Sequence, residues 1–175
     1  MGKKVAVIAL NPVNGSGLFQ YLEAFFENGI SYQIFAIAES KDIKTNSGIS
    51  ISLDHAIADL KGKENEYDAL VFACGDAMMK LAENADKQYN KDMFEVVAKF
   101  NEQGKLIAGH CAAAVIFDKS GIADGKKMAV HPYGKAGVLK GIPTDEKSVV
   151  DHNLYTAQTE SYIWTLLPEL LAALK

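Results

Sequence analysis

A chain of 175 residues can form one domain with its own core, because a domain of this size buries about 70% of the surface that its unfolded chain exposes. Hydrophobic residues make up 49% of the sequence and charged residues 23%, which excludes a disordered polar chain. The formal net charge of −4 comes from intermixed acidic and basic residues without a basic stripe, so we expect no nucleic-acid partner.

The first part of the sequence predicts a strand, a helix and a second strand. Residues 4–10 are predicted as the first strand, and the continuous apolar run from Val5 to Leu10 is expected for a parallel strand that is buried on both faces. Apolar residues then recur at helical spacing from Leu18 until Asn28-Gly29, and residues 32–37 are predicted as the next strand. This order with a short return requires a parallel crossover, which places the chain in the α/β class.

The remaining predicted elements continue this alternation. They are strands at residues 67–73, 105–108, 128–130 and 149–151, a helix with the apolar stripe Met93, Val96, Val97 and Phe100, and a C-terminal helix at residues 161–174. Pro168 is expected to kink or interrupt the last helix. No linker or repeat divides the sequence, so we predict a single domain over residues 1–175.

The sequence indicates neither a membrane segment nor a metal site. The apolar run at residues 5–10 is too short for a signal-peptide core or a membrane span, so we expect a cytoplasmic protein without a membrane partner. Cys74 and Cys111 are far apart and lack clustered histidines, which argues against both a disulfide scaffold and a zinc site. We therefore expect two free thiols.

The segment around Cys111 carries the strongest chemical signal. A buried strand turns there into an alanine-rich helix, and Gly109-x-Cys111-x-Ala113 has the spacing of a nucleophile elbow. The elbow needs small residues on both sides of a strained central residue, because strand and helix approach closely. A nearby helix N-terminus favours thiolate. The same pattern also fits a small buried cysteine, so both interpretations stay open at this point.

Several spaced motifs together resemble the DJ-1/PfpI/ThiJ superfamily, whose cysteine elbow is similar to that of class I glutamine amidotransferases. The motifs are Ser47-Gly48 with Asp54, residues 67–72 with Gly75, residues 104–108 leading to Cys111, and residues 127–132 with His131-Pro132. The resemblance implies a flavodoxin-like three-layer α/β/α sandwich with a mostly parallel sheet. It also implies a site at the carboxyl ends of the strands.

The same resemblance implies roles for four residues. Cys111 would be the nucleophile, the N–H groups of Gly75 and Ala112 would be oxyanion donors, and His131 would be a proton carrier. Superfamily members form dimers or larger rings that complete the cleft across subunits, so a homo-oligomer is implied. Neither a metal ion nor an organic cofactor is required.

The sequence also departs from the superfamily pattern. In the superfamily a glutamate on the turn after the first strand shares a proton with the cysteine, and Gly17 occupies that position here. Ala112 stands where the PfpI branch has histidine. We therefore expect no Asp or Glu carboxylate within hydrogen-bonding reach of the Cys111 sulfur. Its thiol should be less acidic than that of its relatives, although the helix terminus should still lower its pKa.

Two further residues near the elbow have alternative interpretations. His110 is expected to face away from Cys111, because successive side chains of a strand point to opposite faces. Cys74 replaces a superfamily glycine at a strand end that faces the nucleophile. It either fills the core as a small apolar residue or lies close enough to act as a redox partner that resolves a sulfenic acid on Cys111.

Three functional hypotheses follow. The first is a cysteine-dependent enzyme with a small-molecule or peptide substrate, either a candidate intracellular protease or amidase or a small carbonyl or acyl hydrolase of the glyoxalase or deglycase type. The alternative is a non-catalytic redox or electrophile sensor, or a small-molecule-binding module, that uses Cys111. A third is nucleotide binding at Gly15-x-Gly17, although Gln20 stands where a third glycine is needed.

Overall fold

A computed structural model describes residues 2–175, apart from the side chains of Met78 and Met79. The strands are β1 (Lys4–Leu10), β2 (Ser31–Ile37), β3 (Asp42–Lys44), β4 (Ser50–Ser52), β5 (His55–Ala56), β6 (Ala69–Ala73), β7 (Leu106–His110), β8 (Lys127–Ala129), β9 (Ile142–Thr144), β10 (Ser148–Asp151) and β11 (Leu154–Ala157). The helices are α1 (Gly15–Glu27), α2 (Met78–Glu83), α3 (Gln88–Glu102), α4 (Ala113–Lys119) and α5 (Ile163–Ala173). Short 3₁₀ segments span Ile57–Asp59, Glu64–Glu66, Pro132–Gly137 and Glu160–Tyr162.

The central sheet has seven strands in the order β10-β11-β7-β6-β1-β2-β5. All neighbouring pairs are parallel except the edge pair of β10 and β11, which is antiparallel. The predicted α/β class and mostly parallel sheet are therefore confirmed. The carboxyl ends of β6 and β7 lie side by side, so Cys74 and Cys111 follow neighbouring strands.

Helices cover both faces of this sheet and form the expected three-layer sandwich. We call the face under α3 and α4 the elbow face; its buried residues include Leu70, Phe72, Cys74, Phe100, Ile107 and Phe117. The face under α1 and α5 is the opposite face; its buried residues include Val7, Leu18, Tyr21, Phe25, Val71, Ala108 and Leu166. Alternate residues of each central strand enter different cores, which explains the continuous apolar runs of β1 and β6.

The C-terminal part differs from the sequence prediction. Helix α5 continues through Pro168, so the predicted interruption is wrong. Proline lacks the N–H that would donate to the carbonyl of Trp164, four residues earlier, but this loss does not end the helix. The sequence prediction also missed β11, which pairs with β7 directly beside the elbow.

Candidate functional site

Cys111 occupies the turn between β7 and α4 with a φ of +54°. Within the described residues, His152 is the only other non-glycine residue with positive φ. Left-handed backbone of this kind is unfavourable for a residue with a Cβ. The prediction that Cys111 lies at a strained strand-to-helix turn is confirmed.

The close approach of strand and helix explains why small residues flank Cys111. A Cβ added to Gly109 would lie 2.5 Å from the Cβ of Ala113 and 2.9 Å from the Cβ of Phe72. Both distances are shorter than van der Waals contact, and both atoms are attached directly to the backbone. Glycine at position 109 is therefore a packing requirement of the turn.

The thiol of Cys111 is partly buried, and its pKa is raised. Burial is the largest cause, because it disfavours the thiolate, and the negative charges of Glu160 and Asp76 act in the same direction. The main-chain N–H of Ala112 opposes them but is weaker than burial. The expected lowering of this pKa by the helix terminus is therefore wrong, because burial outweighs the main-chain N–H.

Two neighbouring side chains lie beside Gly17, where the resemblance implies a glutamate. A Cβ added to Gly17 would lie 2.6 Å from His110 Nε2 and 3.5 Å from the Cβ of Glu160. The imidazole thus occupies the space that a longer side chain at position 17 would need. Within residues 2–175, no described carboxylate forms a hydrogen bond with the Cys111 sulfur.

Glu160 is a residue that the sequence analysis did not place in the site. It begins the 3₁₀ segment before α5, and its carbonyl oxygen accepts a hydrogen bond of 3.1 Å from Gln20 Nε2 on α1. This contact holds Glu160 beside Gly17. The negative charge of Glu160 contributes to the raised pKa of Cys111, so its carboxylate lies near the thiol without a hydrogen bond to it.

His110 points to the opposite face, as the alternation of strand side chains predicts. Its ring is 1% exposed and lies 5.7 Å from the ring of Tyr21, measured between centroids. Neither ring nitrogen nor the Tyr21 hydroxyl forms a hydrogen bond of good geometry with a described residue, although the carbonyls of Phe72 and Cys74 lie near the imidazole. Burial lowers the pKa of His110 to about 4 and raises that of Tyr21.

Gly75 follows β6 and packs against the loop after β1. A Cβ added there would lie 2.5 Å from both Pro12 O and Asn14 N, so only glycine fits. The Asn14 N–H donates to the carbonyl of Cys74 over 2.8 Å and fixes this contact. The Asn14 side chain also accepts a bond of 2.8 Å from the Gly17 N–H, which caps α1.

His131 immediately precedes a 3₁₀ segment that packs on α4. It caps the segment Pro132–Gly137, and its Nδ1 accepts a hydrogen bond of 3.2 Å from the Tyr133 N–H. A Cβ on Gly134 would lie 3.3 Å from Val115, so this segment packs on α4. No described hydrogen bond joins His131 to Cys111, and its role as a proton carrier stays a prediction.

Cys74 is fully buried on the elbow face. Burial raises its pKa, the charge of Cys111 raises it further, and the N–H of Ala113 lowers it. Both cysteines are free thiols. Cys74 is thus both a core residue and a close neighbour of Cys111.

Two cavities of about 360 and 370 Å³ lie near the carboxyl end of β1. Both include Asn11 and Lys80 in their lining, and Cys111 lines neither. The expectation that the sulfur opens into a cleft is therefore not met by these cavities.

A family model described as the DJ-1/PfpI family matches residues 3–173. The chain belongs to the DJ-1/PfpI family. It is 58% identical to the protein ppBat of Bacteroides thetaiotaomicron over the full length of both chains. A crystal structure of a candidate protease I from Bacteroides thetaiotaomicron, also 58% identical, has a TM-score of 0.97 and covers 99% of this chain and 100% of that one.

A more distant DJ-1/PfpI relative supports the fold alone. A mutant of the DJ-1 superfamily protein STM1931 from Salmonella typhimurium is 24% identical, with a TM-score of 0.84 over 98% of this chain and 90% of that one. No described helix is long and apolar enough to cross a membrane. The part of the chain that the structure describes contains no group of three or more His, Cys, Asp or Glu residues suited to a metal ion.

Proposed function

We propose that this DJ-1/PfpI family member is a cysteine-dependent enzyme that acts on small carbonyl, acyl or amide compounds, with Cys111 as its nucleophile. The observation that carries the proposal is the left-handed backbone of Cys111 between the closely packed Gly109 and Ala113. A cysteine that only fills a core does not require such a backbone, whereas strain of about 1–3 kcal/mol persists at sites where it presents a side chain.

The chemical step would use main-chain donors on both sides of the sulfur. When the sulfur attacks a carbonyl carbon, a C–S bond forms and the π electron pair moves onto the oxygen. The N–H groups of Gly75 and Ala112 are the proposed donors to this oxyanion. Among the described residues, no acceptor is found for the Gly75 N–H, which leaves this group available to a substrate.

The thiol proton must leave as the C–S bond forms, and Glu160 is the proposed acceptor. Its carboxylate is close enough to raise the pKa of Cys111, and its backbone is held beside Gly17. Glu160 would thereby replace the superfamily glutamate from another segment of the chain. His131 remains a second candidate: because Nδ1 accepts a hydrogen bond, a neutral ring carries its proton on Nε2 and could donate it to a leaving group.

The substrate, the assembly and the location are further parts of this proposal. The similar Bacteroides thetaiotaomicron protein is described as a candidate protease, which supports peptides as well as small molecules among the substrates. The superfamily resemblance favours a homo-oligomer, in which a second subunit completes the cleft. We place the protein in the cytoplasm, where free thiols persist.

Whole-protein mass spectrometry tests the nucleophile. Wild type, Cys111→Ser and the control Cys74→Ser are treated with iodoacetamide and methylglyoxal, and hydrolysis of p-nitrophenyl acetate and a peptide mixture is followed in parallel. We expect adducts and turnover in wild type and Cys74→Ser, and neither above the buffer rate in Cys111→Ser. Unchanged turnover in Cys111→Ser would refute the proposal.

Glu160→Gln separates the role of the carboxylate from that of its charge, with Asp76→Asn as the matched control. Removing either charge lowers the pKa of Cys111 and should accelerate alkylation at neutral pH. Only Glu160→Gln should also slow turnover, because it removes the proton acceptor. If both variants turn over as wild type does, Glu160 is not the acceptor.

The raised pKa of Cys111 favours a sensor as the second candidate function. A protonated thiol without a hydrogen-bonded base reacts slowly, and a product that is not released would persist as a signal. The same mass spectra distinguish the two functions. A sensor forms a stoichiometric adduct that persists, whereas an enzyme returns to its unmodified mass as product accumulates.

A further inference from the structure

The pairing of β6 with β7 aligns the two cysteines. Leu70 pairs with Ile107 and Phe72 pairs with Gly109, which is the last pair of this ladder. Extended by two residues beyond its end, the same register would set Cys74 beside Cys111. Neighbouring strands are about 4.8 Å apart. That spacing lies within the Cα–Cα range of about 4.4–6.8 Å that a disulfide spans.

The side chains of the two cysteines also share a face. Residues at alternate positions of a strand point the same way, and Leu70, Phe72 and Cys74 all belong to the core of the elbow face. Cys111 packs against that same core. The N–H of Ala112 faces the sulfur of Cys111 and the next N–H, that of Ala113, faces the sulfur of Cys74. Both sulfurs therefore lie at the first turn of α4.

We propose that Cys111 and Cys74 form a reversible disulfide that switches off the nucleophile in the presence of a hydroperoxide. The inference rests on the proposed function in one respect: the disulfide would block Cys111, which is the proposed nucleophile. In the first step the Cys111 sulfur attacks the terminal peroxide oxygen, the O–O bond breaks, and an alcohol or water leaves with the thiol proton. The products are a sulfenic acid on Cys111 and the reduced peroxide.

In the second step Cys74 resolves the sulfenic acid. Its sulfur attacks the sulfur of Cys111, an S–S bond forms, and the S–O bond breaks. The hydroxyl group combines with the proton of Cys74 and leaves as water. In total, two thiols and one hydroperoxide give one disulfide, one alcohol and one water.

The difference in exposure assigns these roles. Cys111 is partly exposed, so an oxidant in solution reaches it first, whereas Cys74 is fully buried and is reached only through its neighbour. A resolving thiol at this position protects Cys111 from irreversible oxidation to the sulfinic acid. Because burial keeps both groups as thiols, disulfide formation should accelerate as the pH is raised.

The test treats wild type, Cys74→Ala and Cys111→Ser with a slight excess of hydrogen peroxide and reads intact mass without reductant. Wild type should lose the mass of two hydrogen atoms, as a monomer, and recover its starting mass with dithiothreitol. Cys74→Ala should instead be trapped by dimedone as a sulfenic acid and, without dimedone, gain two oxygen atoms irreversibly. Cys111→Ser should remain unchanged over the same period.

A displaced thiol supplies the matched control. Ala73 is also fully buried but belongs to the core of the opposite face, so Ala73→Cys combined with Cys74→Ala keeps two cysteines and turns one away. This double variant should form no disulfide, because the cysteine at position 73 would point to the opposite face of the sheet from Cys111. Circular dichroism confirms that each variant is folded before oxidation.

Three results would overturn the inference: sulfinic acid on Cys111 in wild type with Cys74 still free, a disulfide only between chains, or equal disulfide formation in the displaced variant. The readout is independent of turnover. If a disulfide forms in a protein that hydrolyses nothing, the redox inference stands and the proposed enzyme fails. If Cys111→Ser abolishes hydrolysis but wild type forms no disulfide, the proposed enzyme stands and the redox inference fails.

Discussion

Cys111 and His110 are successive residues at the end of one strand, and they enter opposite faces of the sheet. On the elbow face, Cys111 has a strained backbone fixed by the contact of Gly109 with Ala113. On the opposite face, His110 has a relaxed backbone but a fully buried ring that lacks hydrogen bonds of good geometry. Cys111 is therefore unfavourable in its backbone conformation, whereas His110 is unfavourable because its polar ring atoms are buried without hydrogen bonds of good geometry.

The comparison shows how a family site persists after one of its side chains is lost. The elbow depends on contacts between backbone-linked atoms, which allow little adjustment. The region around Gly17 depends on side-chain ends, which can be exchanged: an imidazole fills the space, and under the proposed function Glu160 supplies a carboxylate from another segment. We therefore expect substitutions on the elbow face to have the larger effects.

Gly109→Ala should give the largest effect. The added methyl group would lie 2.5 Å from Ala113 Cβ and 2.9 Å from Phe72 Cβ, and neither can move without its backbone. Overpacking of this kind costs about 3 kcal/mol or more of unfolding free energy. Urea denaturation measures the cost, and iodoacetamide should modify Cys111 at a different rate because the turn is displaced. A loss below about 0.5 kcal/mol, the size of a neutral surface substitution, would show that the elbow can relax.

The pH dependence of stability should reveal His110. Its pKa is about 4 in the folded protein and 6.5 when the ring is solvated, so the unfolded chain binds more protons between these values. Stability is full above pH 6.5 and falls as the pH decreases towards 4. One pKa unit corresponds to about 1.4 kcal/mol, so the loss attributable to His110 approaches about 3 kcal/mol below pH 4.

His110→Leu isolates this contribution from that of the carboxylates. Asp68, Asp92 and Asp118 have lowered pKa values and also destabilise the fold in acid, but they are present in both proteins. Wild type should therefore lose more stability than His110→Leu between pH 7 and pH 4.5. Parallel curves for the two proteins would mean that His110 is protonated in the folded state.

Local patterns in the sequence predicted the features that depend on neighbouring residues. The strained turn at Cys111 follows from the spacing of Gly109 and Ala113, and the direction of His110 follows from strand alternation. The sequence failed where the outcome depends on distant packing. The direction of the Cys111 pKa shift was wrong because burial outweighs the helix terminus, and burial is not encoded locally.

Glu160 could not be identified for the same physical reason. It reaches the site through a contact with Gln20 on α1, 140 residues earlier in the chain, and no motif marks this contact. The strand β11 was also missed, and its short apolar pattern is interrupted by Thr156. Its pairing with β7 places Ala157 O where it accepts the Cys111 N–H over 3.2 Å.

Gly17→Ala should have a smaller effect than Gly109→Ala. The methyl group would meet the end of the His110 side chain at 2.6 Å, and a side chain can turn aside. We expect a loss of about 1–2 kcal/mol in unfolding free energy. The control is Gly15→Ala in the same helix, whose methyl group would meet Thr45 at an ordinary 3.5 Å and should stabilise the protein by about 0.5 kcal/mol.

A double-mutant cycle locates the cause of that loss. In the background of His110→Ala, the space beside position 17 is open, and Gly17→Ala should cost nothing or stabilise α1. The coupling free energy between the two positions should therefore be about 1–2 kcal/mol. Additive effects would show that the imidazole does not fill the space of the missing side chain.

The smallest effect concerns the backbone of Cys111 itself and is measured by comparing Cys111→Gly with Cys111→Ala. Both variants lack the sulfur, so their difference in unfolding free energy reports mainly the φ of +54°, together with the greater entropy of unfolded glycine. A residue with a Cβ costs about 1–2 kcal/mol in this conformation, and glycine does not. Cys111→Gly should therefore be more stable than Cys111→Ala by about 1 kcal/mol after the greater entropy of unfolded glycine is included. Ala112→Gly gives the opposite sign, because Ala112 has a φ of −59° and lies in ordinary helical backbone. If Cys111→Gly were the less stable of the pair, the backbone at Cys111 would not be strained, and Cys111 would be only a small, partly buried cysteine.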